Sequence, residues 1–242
     1  NAAKGNPIDA VLCSEVCEAA ILLSEDPAVR AVLFTAEGKS FSFGGDISSF
    51  TGDLDNLPKN IKRWTASLHS GLARMQRMDA PIVAAVQGVC AGGMAGVVAG
   101  ADIVVAAEDA RFVAAFAGIG FSNDSGSSVM YTRRMGIGRA RKFLLLNETL
   151  DAAQALAVGL VDEVVPADQL QVRAEAIAAH LAAGPTKAFG EMRRLFTSVE
   201  DQPLEAQLEL EAQALARCAA TEDAREALTA FIEKRKPVFK GR

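Results

Sequence analysis

"IVAAVQGVCAGGMAG", residues 82–96, joins an apolar run to a glycine-rich turn. The run Ile82–Val86 predicts a buried strand, and Gly92-Gly93 stands at the predicted start of the helix that follows. Glycines let a backbone approach a ligand closely, and the first N–H groups of a helix have no partner inside the helix. The stretch therefore predicts a strand, a turn and a helix start whose backbone donors are free.

A second stretch, "VLFTAEGKSFSFGGDI" at residues 32–47, repeats this pattern of an apolar run followed by a Gly-Gly turn. Two backbone N–H groups that converge on one point would form an oxyanion hole. Close packing of the backbone explains either glycine turn equally well when it is taken alone. It is the repetition of the turn that favours a functional role.

The first half of the chain predicts strands within 29–36, 81–88, 102–109 and 111–115, and a helix over 58–78 with an apolar stripe. A helix is also predicted early in the chain, with Asn6 as its N-cap and Pro7 as its first residue. After Asp124 the pattern is helical. Further helices are predicted at 169–183, 186–197, 203–218 and 221–235. We therefore predict an α/β core over 1–185 and a helical region over 186–242.

Composition excludes several classes of protein. Of the 242 residues, half are hydrophobic and the net charge is −5, which argues against a nucleic-acid partner. Only two histidines are present and the four cysteines have no CxxC spacing, so no metal site is predicted. No apolar run reaches about 18 residues, so we predict no membrane span and expect a cytoplasmic protein. Because the first residue is Asn, we expect that an N-terminal stretch precedes it.

A dinucleotide-binding protein is one alternative. "AGGMAG" at residues 91–96 nearly matches GxGxxG after a strand. Ala91 replaces the first glycine, however, and the segment between Gly92 and Asp102 is short for a βαβ crossover. An NAD-dependent oxidoreductase is therefore disfavoured.

One carboxylate stands apart in "RFVAAFAGIGFSNDSGSS", residues 111–128. The apolar neighbours Phe112, Phe116, Ile119 and Phe121 could desolvate Asp124 and favour its use as a base. The alternative is an ordinary N-cap, since Asp before a helical run caps well. The two roles are compatible.

Five segments in order resemble the crotonase (enoyl-CoA hydratase/isomerase) superfamily: "DPAVRAVLFTAEGKSFSFGGDI", "APIVAAVQGVCAGGMAG", "ADIVVAAEDARF", "GLVDEVVP" and "AFIEKRKPVFKGR". The resemblance implies a spiral of ββα units with a C-terminal helical region that forms homotrimers, often paired into hexamers. It implies an acyl-CoA thioester substrate, with coenzyme A as part of the substrate and no other cofactor. The thioester carbonyl would lie between the N–H groups of Gly45 and Gly93.

The same resemblance bears on the reaction. The two glutamates of enoyl-CoA hydratases match Gly96 and Phe116, so both acids are missing. The Asp of the single-Asp isomerases and of 4-chlorobenzoyl-CoA dehalogenase matches Asp124. The dehalogenase's base matches His69, and its Trp matches Phe116, which makes His69 and Phe116 secondary candidates. We favour an isomerase that uses Asp124. A hydratase, a 4-halobenzoyl-CoA dehalogenase-like enzyme and a non-catalytic acyl-CoA-binding protein stay open.

The C-terminal motif and the residues around the two glycine turns supply the predicted contacts to the substrate and to CoA. By the resemblance, Phe231 and Lys234 approach the CoA adenine, commonly from a neighbouring subunit. The full predicted set is Lys4, Phe43, Asp46, Ile47, Val89, Gly92, Phe231 and Lys234.

Overall fold

The computed structural model describes all residues from 1 to 242 and contains seven strands and eleven α-helices. The strands are β1 (Val32–Phe34), β2 (Ile82–Val86), β3 (Val89–Ala91), β4 (Ile103–Ala107), β5 (Arg111–Val113), β6 (Thr149–Asp151) and β7 (Glu163–Val165). The helices are α1 (Ala10–Glu25), α2 (Ile47–Thr51), α3 (Leu57–Met75), α4 (Gly92–Ala99), α5 (Ser127–Met135), α6 (Ile137–Leu145), α7 (Ala152–Ala157), α8 (Leu170–Ala182), α9 (Thr186–Ser198), α10 (Leu204–Ala219) and α11 (Glu222–Ile232).

Successive strands enter two different sheets. The larger sheet is all parallel, in the order β1-β2-β4-β7, and the smaller one has the order β3-β5-β6. β2 pairs with β4 through Val83 and Ile103, whereas β3, only two residues after β2, pairs with β5 through Cys90 and Phe112. The chain therefore adds one strand to each sheet and then a helix, which is a spiral of ββα units.

Small and β-branched side chains allow the central strands β2 and β4 to be buried on both faces, as is typical of parallel sheets. Alternate residues of β2 and β4 enter two separate cores. One set packs on α8: Val83, Ala85, Val105 and Ala107 contact Leu170, Ala174 and Ile177. The other set, which includes Ala84, Val86, Val104 and Ala106, belongs to a core of 25 buried residues.

Most predicted elements are present, with two corrections. Asn6 does not cap α1: Asp9 is the N-cap and accepts from Leu12 N at 2.8 Å. Asn6 instead has a left-handed φ of 49°, and its amide donates to the carbonyl of Glu37 at 2.8 Å. The short strands β6 and β7 were not predicted, because "TLD" and "EVV" are too brief to show a period of two within a helical pattern.

Polar contacts tie the C-terminal helices to the α/β part. Arg193 of α9 is buried and donates to Asp102 Oδ1 at 2.9 Å. Within the C-terminal region itself, the buried Asp223 of α11 holds the end of the chain. Its carboxylate accepts from the backbone N–H groups of Lys240 at 2.6 Å and Gly241 at 2.8 Å. No helix of the structure combines the length and apolar character that crossing a membrane requires.

Candidate active site

A cavity of about 600 Å³ opens where the two glycine turns meet α3 and the loop before α5. Seven of the predicted site residues lie in its wall: Phe43, Gly45, Ile47, Gly92, Gly93, Phe116 and Asp124. The sequence separations between these residues are large, so the fold brings the predicted motifs together at one place.

The glycine turns are in direct contact. Gly44 and Gly92 both have left-handed φ values, 85° and 56°, and a methyl group at Gly92 would lie 3.8 Å from the Gly44 Cα. Gly93 is in the first turn of α4, where N–H groups have no intrahelical acceptor. The N–H of Gly45 donates to no acceptor within the chain. Two unpaired donors therefore stand in the cavity wall, one on each turn.

The segment before α1 fixes the first turn. Ile8 N donates to Gly44 O at 2.7 Å, and Asp46 N donates to Ile8 O at 3.1 Å, so Gly45 lies between two bonded neighbours. The buried hydroxyl of Ser42 donates to Asn6 O at 2.6 Å and accepts from Gly44 N at 3.1 Å. These contacts hold the Gly45 N–H in one orientation without using it.

An aromatic wall faces the glycine turns. Phe50 of α2 stacks on Trp64 of α3, with ring centroids 6.1 Å apart, and on Phe121, with centroids 5.8 Å apart. Phe116 and Ile119 extend this apolar surface. A side chain at Gly45 would collide with Phe50, since its Cβ would lie 2.7 Å from that ring. The cavity therefore presents a flat, apolar surface opposite the glycine turns.

Asp124 is paired with His69 across the cavity rim. His69 Nε2 lies 2.8 Å from Asp124 Oδ1, and the two side chains are 49% and 39% exposed. The hydroxyl of Ser125 donates to Asp124 Oδ2 at 3.2 Å. The carboxylate thus has a donor on each oxygen and is still open to the cavity.

Two expectations about Asp124 are wrong. Its side chain does not cap α5, because Gly126 is the N-cap and has no side-chain bond. At the start of this helix it is the Asp124 carbonyl that accepts, from Ser127 N at 3.1 Å and from the Ser127 hydroxyl. Phe112 is not in the cavity, since it points into the core between β3 and β6. Phe116, Ile119 and Phe121 do line the cavity as expected.

The positions that match the two hydratase glutamates hold no acid and differ in the space they offer. Phe116 occupies the cavity wall with its ring. Gly96 is buried in α4 against Ser127, whose hydroxyl oxygen a Cβ at residue 96 would overlap. A larger side chain at position 96 would therefore have to displace Ser127.

Five predicted contact residues lie outside the cavity wall: Lys4, Asp46, Val89, Phe231 and Lys234. Asp46 caps α2, and hydrogen bonds from the Ser48 and Ser49 hydroxyls lower the pKa of its carboxyl. Phe231 is 84% exposed at the end of α11. The cavity wall contains no Lys or Arg, so within one chain nothing in this wall neutralises a phosphate.

The wall residues that were not predicted as site residues include Cys13, Trp64 and Ser125. Trp64 lies in α3, the helix for which the sequence predicts an apolar stripe. Burial and the carboxylates of Asp9 and Asp124 raise the pKa of the Cys13 thiol to about 11, so this thiol is neutral at neutral pH. Ser125 follows Asp124 directly, but its left-handed φ of 57° has no sequence signal apart from the adjacent glycine.

Comparisons with known proteins identify the family of this chain. The family model described as enoyl-CoA hydratase/isomerase matches residues 1–242. The 1,2-epoxyphenylacetyl-CoA isomerase of Escherichia coli K12 is 33% identical over 95% of this chain and 88% of that protein. The 4-chlorobenzoyl coenzyme A dehalogenase-2 of an Arthrobacter species is 32% identical over 87% of this chain and 76% of that protein.

Solved structures share the whole fold. A crystal structure described as an enoyl-CoA hydratase/isomerase from Cupriavidus metallidurans CH34 superposes with a TM-score of 0.90 at 28% identity, covering 100% of this chain and 90% of that chain. This likeness confirms the predicted spiral α/β architecture.

Proposed function

The chain belongs to the enoyl-CoA hydratase/isomerase family, and we propose that it isomerises an acyl-CoA thioester with Asp124 as its single base. The observation that carries the proposal is the placement of one accessible carboxylate in the same cavity wall as two unpaired backbone donors. No second carboxylate lies in that wall.

The reaction follows from these groups. The thioester oxygen accepts from Gly45 N–H and Gly93 N–H, which stabilise the negative charge of an enolate. Asp124 removes a proton from a carbon of the acyl group, and the electron pair moves into the enolate. The protonated Asp124 then returns the proton to a different carbon. The double bond thereby moves along the acyl group, or, in a ring-bearing substrate, the ring is isomerised. One carboxylate is enough because the group that removes the proton is the same group that returns it.

The aromatic wall favours binding of an apolar acyl group, which can be a straight chain or can contain a ring. Phe50, Trp64 and Phe121 present a stacked, rigid surface, and rigid aromatic surfaces bind flat apolar groups well. Both straight 3-enoyl thioesters and ring-bearing thioesters are therefore suitable test substrates.

The substitution Asp124→Asn tests the proposal. With a 3-enoyl-CoA, growth of the conjugated 2-enoyl thioester is followed by absorbance in wild type and variant. We expect the substitution to reduce kcat by about 10²–10⁴-fold, because the new amide cannot take the proton, while the Kd for acyl-CoA is kept. Asp168→Asn, an exposed aspartate in the turn before α8, is the matched control and should behave as wild type. Wild-type turnover in Asp124→Asn would contradict the proposal.

A second candidate is hydrolytic dehalogenation of a 4-halobenzoyl thioester, and the contact that favours it is His69 Nε2 at 2.8 Å from Asp124. In that reaction Asp124 attacks the ring carbon and halide leaves, after which water, deprotonated by His69, hydrolyses the aryl ester. Phe116 weakens this alternative because its ring has no N–H to hold the nucleophile. Halide release from 4-chlorobenzoyl-CoA by the wild type would establish it, and acyl-CoA binding without turnover of any of these thioesters would indicate a binding protein.

The CoA end of the substrate is completed, we propose, by Phe231 and Lys234 of a neighbouring copy in a homotrimer. Support comes from the cavity wall, which lacks any cation, and from the exposed apolar side chains on the C-terminal helices: Phe196, Leu208, Leu215, Leu228, Phe231 and Ile232.

Subunit complementation tests this arrangement. Each of the variants Lys234→Ala and Asp124→Asn is expected to have low isomerase activity when it is refolded alone. After unfolding and refolding together, mixed oligomers contain sites that have both Asp124 and a neighbour's Lys234, so activity should exceed the sum of the two variants. A mixture no more active than its parts would place Lys234 in the same chain's site or outside it.

A further inference from the structure

We propose that Ser125 is a positioning residue that holds the Asp124 carboxylate against the oxyanion donors. The proposal rests on the function proposed for Asp124 and adds a residue to that site. The first observation is a hydrogen bond: the hydroxyl of Ser125 donates to Asp124 Oδ2 at 3.2 Å. Ser125 is only 3% exposed. Buried hydroxyls are almost always hydrogen-bonded, so this bond fixes where the hydroxyl points.

The second observation is the position of Ser125 beside the other half of the site. A Cβ built on Gly93 would lie 2.7 Å from the Ser125 hydroxyl oxygen. The hydroxyl is therefore in contact with the turn that carries one oxyanion donor, while it donates to the base. It sets the spacing between the group that takes the proton and the group that holds the negative charge.

The third observation is the backbone. Ser125 has a φ of 57°, a conformation that residues with a side chain rarely adopt. Glycine would suit this position better, and Gly126 follows with a φ of 77°. A serine kept where glycine is favoured points to a use for its hydroxyl.

Positioning at both oxygens explains how Asp124 can act beside Phe116. His69 bonds Oδ1 and Ser125 bonds Oδ2, so the carboxylate plane is fixed without a donor from position 116. Two titratable groups face Asp124 from the neighbouring helices: His69 from α3 and the neutral thiol of Cys13 from α1. Ser125 therefore acts on Asp124 through one hydrogen bond and contact, with no charge of its own.

The test compares Ser125→Ala with Ser125→Gly. Both remove the hydroxyl, but Ala keeps the unfavourable φ and Gly relieves it. We expect kcat to fall by about 10–100-fold in both, the range for a lost hydrogen bond to a charged group, with KM changed by less than about 3-fold. Tm should be higher in Gly than in Ala by about 2–4 °C.

Asn147 provides the matched control. It has a φ of 49° and lies outside the cavity wall, so Asn147→Gly and Asn147→Ala should separate in Tm in the same way and leave kcat unchanged. If Ser125→Gly keeps wild-type kcat, or if the loss of kcat follows Tm across the four variants, Ser125 is a structural residue and the proposal is overturned.

A crystal structure of Ser125→Gly separates this proposal from the proposed function. We expect the Asp124 carboxylate to leave its place beside His69 Nε2 in the variant and to keep it in the wild type. This result would support positioning by Ser125 even if the wild type showed no isomerase activity. An unmoved carboxylate in the variant would overturn the positioning role even if Asp124 proved to be the base.

Discussion

Two charged groups in this molecule are held in opposite ways. Arg193 of α9 is 8% exposed and every nitrogen of its guanidinium has an acceptor: Asp102 Oδ1 at 2.9 Å, Met75 O at 2.8 Å, Ala80 O at 3.0 Å and Met78 O. Asp124 is 39% exposed and has one donor on each oxygen. All the guanidinium nitrogens of Arg193 are already hydrogen-bonded, so this residue stabilises the fold. The Asp124 carboxylate still has free lone pairs that can accept a proton from a substrate.

The comparison separates structural from chemical use of charge. Arg193 links α9 to the loop between α3 and β2, and Asp102 in turn accepts from Ile82 N at 2.7 Å, so the network ends in the backbone of the larger sheet. The Asp124 pair ends in a cavity. Breaking the first network should therefore lower stability, and breaking the second should lower turnover.

The largest effect is expected from Arg193→Met. It removes the guanidinium donor from three carbonyl groups and the charged partner from Asp102, which keeps its bond from Ile82 N, so we expect the free energy of unfolding to fall by about 3–5 kcal/mol. Urea denaturation measures it. Asp124→Asn should change the same quantity by less than about 0.5 kcal/mol, and equal losses in the two variants would remove the distinction.

Next comes Gly96→Ala, which tests the packing that closes the hydratase acid position. The new Cβ would overlap the Ser127 hydroxyl, so we expect a loss of about 1–3 kcal/mol in the free energy of unfolding. The loss should largely disappear in Gly96→Ala/Ser127→Ala. In the control Gly138→Ala, also within a helix but with open space at its Cβ, stability should rise by about 0.5–1 kcal/mol. A single Gly96→Ala as stable as the wild type would refute the steric explanation.

A smaller effect is expected for Gly45→Ala, which keeps the N–H donor and adds a methyl group against Phe50. Displacement of that ring disturbs the aromatic wall, so KM should rise by about 5–10-fold, equivalent to about 1 kcal/mol. Steady-state kinetics measure it. Gly45→Ala/Phe50→Leu should return KM toward the Phe50→Leu value, and a fall in kcat with unchanged KM would show that the donor itself had moved.

The smallest effect concerns Glu191, which Arg217 and Arg194 bond at 2.8 Å and 3.0 Å. The hydrogen bond from Arg217, with Arg194 adding to it against the opposing effect of burial, lowers the pKa of Glu191 to about 2. A carboxyl with a lowered folded-state pKa stabilises above its ordinary value of 4.5, and the stabilisation is lost as pH falls toward 2. Glu191→Gln should therefore be less stable than wild type at pH 7 by up to about 1 kcal/mol.

Urea denaturation of both proteins at a series of pH values from 7 downward checks this pH dependence. The difference between Glu191→Gln and the wild type should narrow steadily as pH falls below 4.5. A difference that stays constant across this range would mean that the carboxylate's charge contributes nothing.

Motif residues were predictable because their roles depend on backbone and order. Gly45, Gly93 and Asp124 were identified from turn glycines and a family pattern, and the structure brings all three to one cavity. Ser125 and the stack of Phe50 on Trp64 and Phe121 were not identified, because they depend on a backbone φ and on contacts between distant segments. The cap of α1 was misassigned since Asn6 and Asp9 are both good N-cap residues, and only the tertiary bonds of Asn6 decide between them.

The contact between Gly96 and Ser127 has an evolutionary consequence. The resemblance matches the two hydratase glutamates to positions 96 and 116, so a two-glutamate site needs a change at both, and a glutamate at 96 is also penalised until residue 127 changes. The order of substitutions is therefore constrained, and the change at 127 brings no catalytic benefit by itself. Directed-evolution libraries seeking hydratase activity from this scaffold should therefore vary 96, 116 and 127 together.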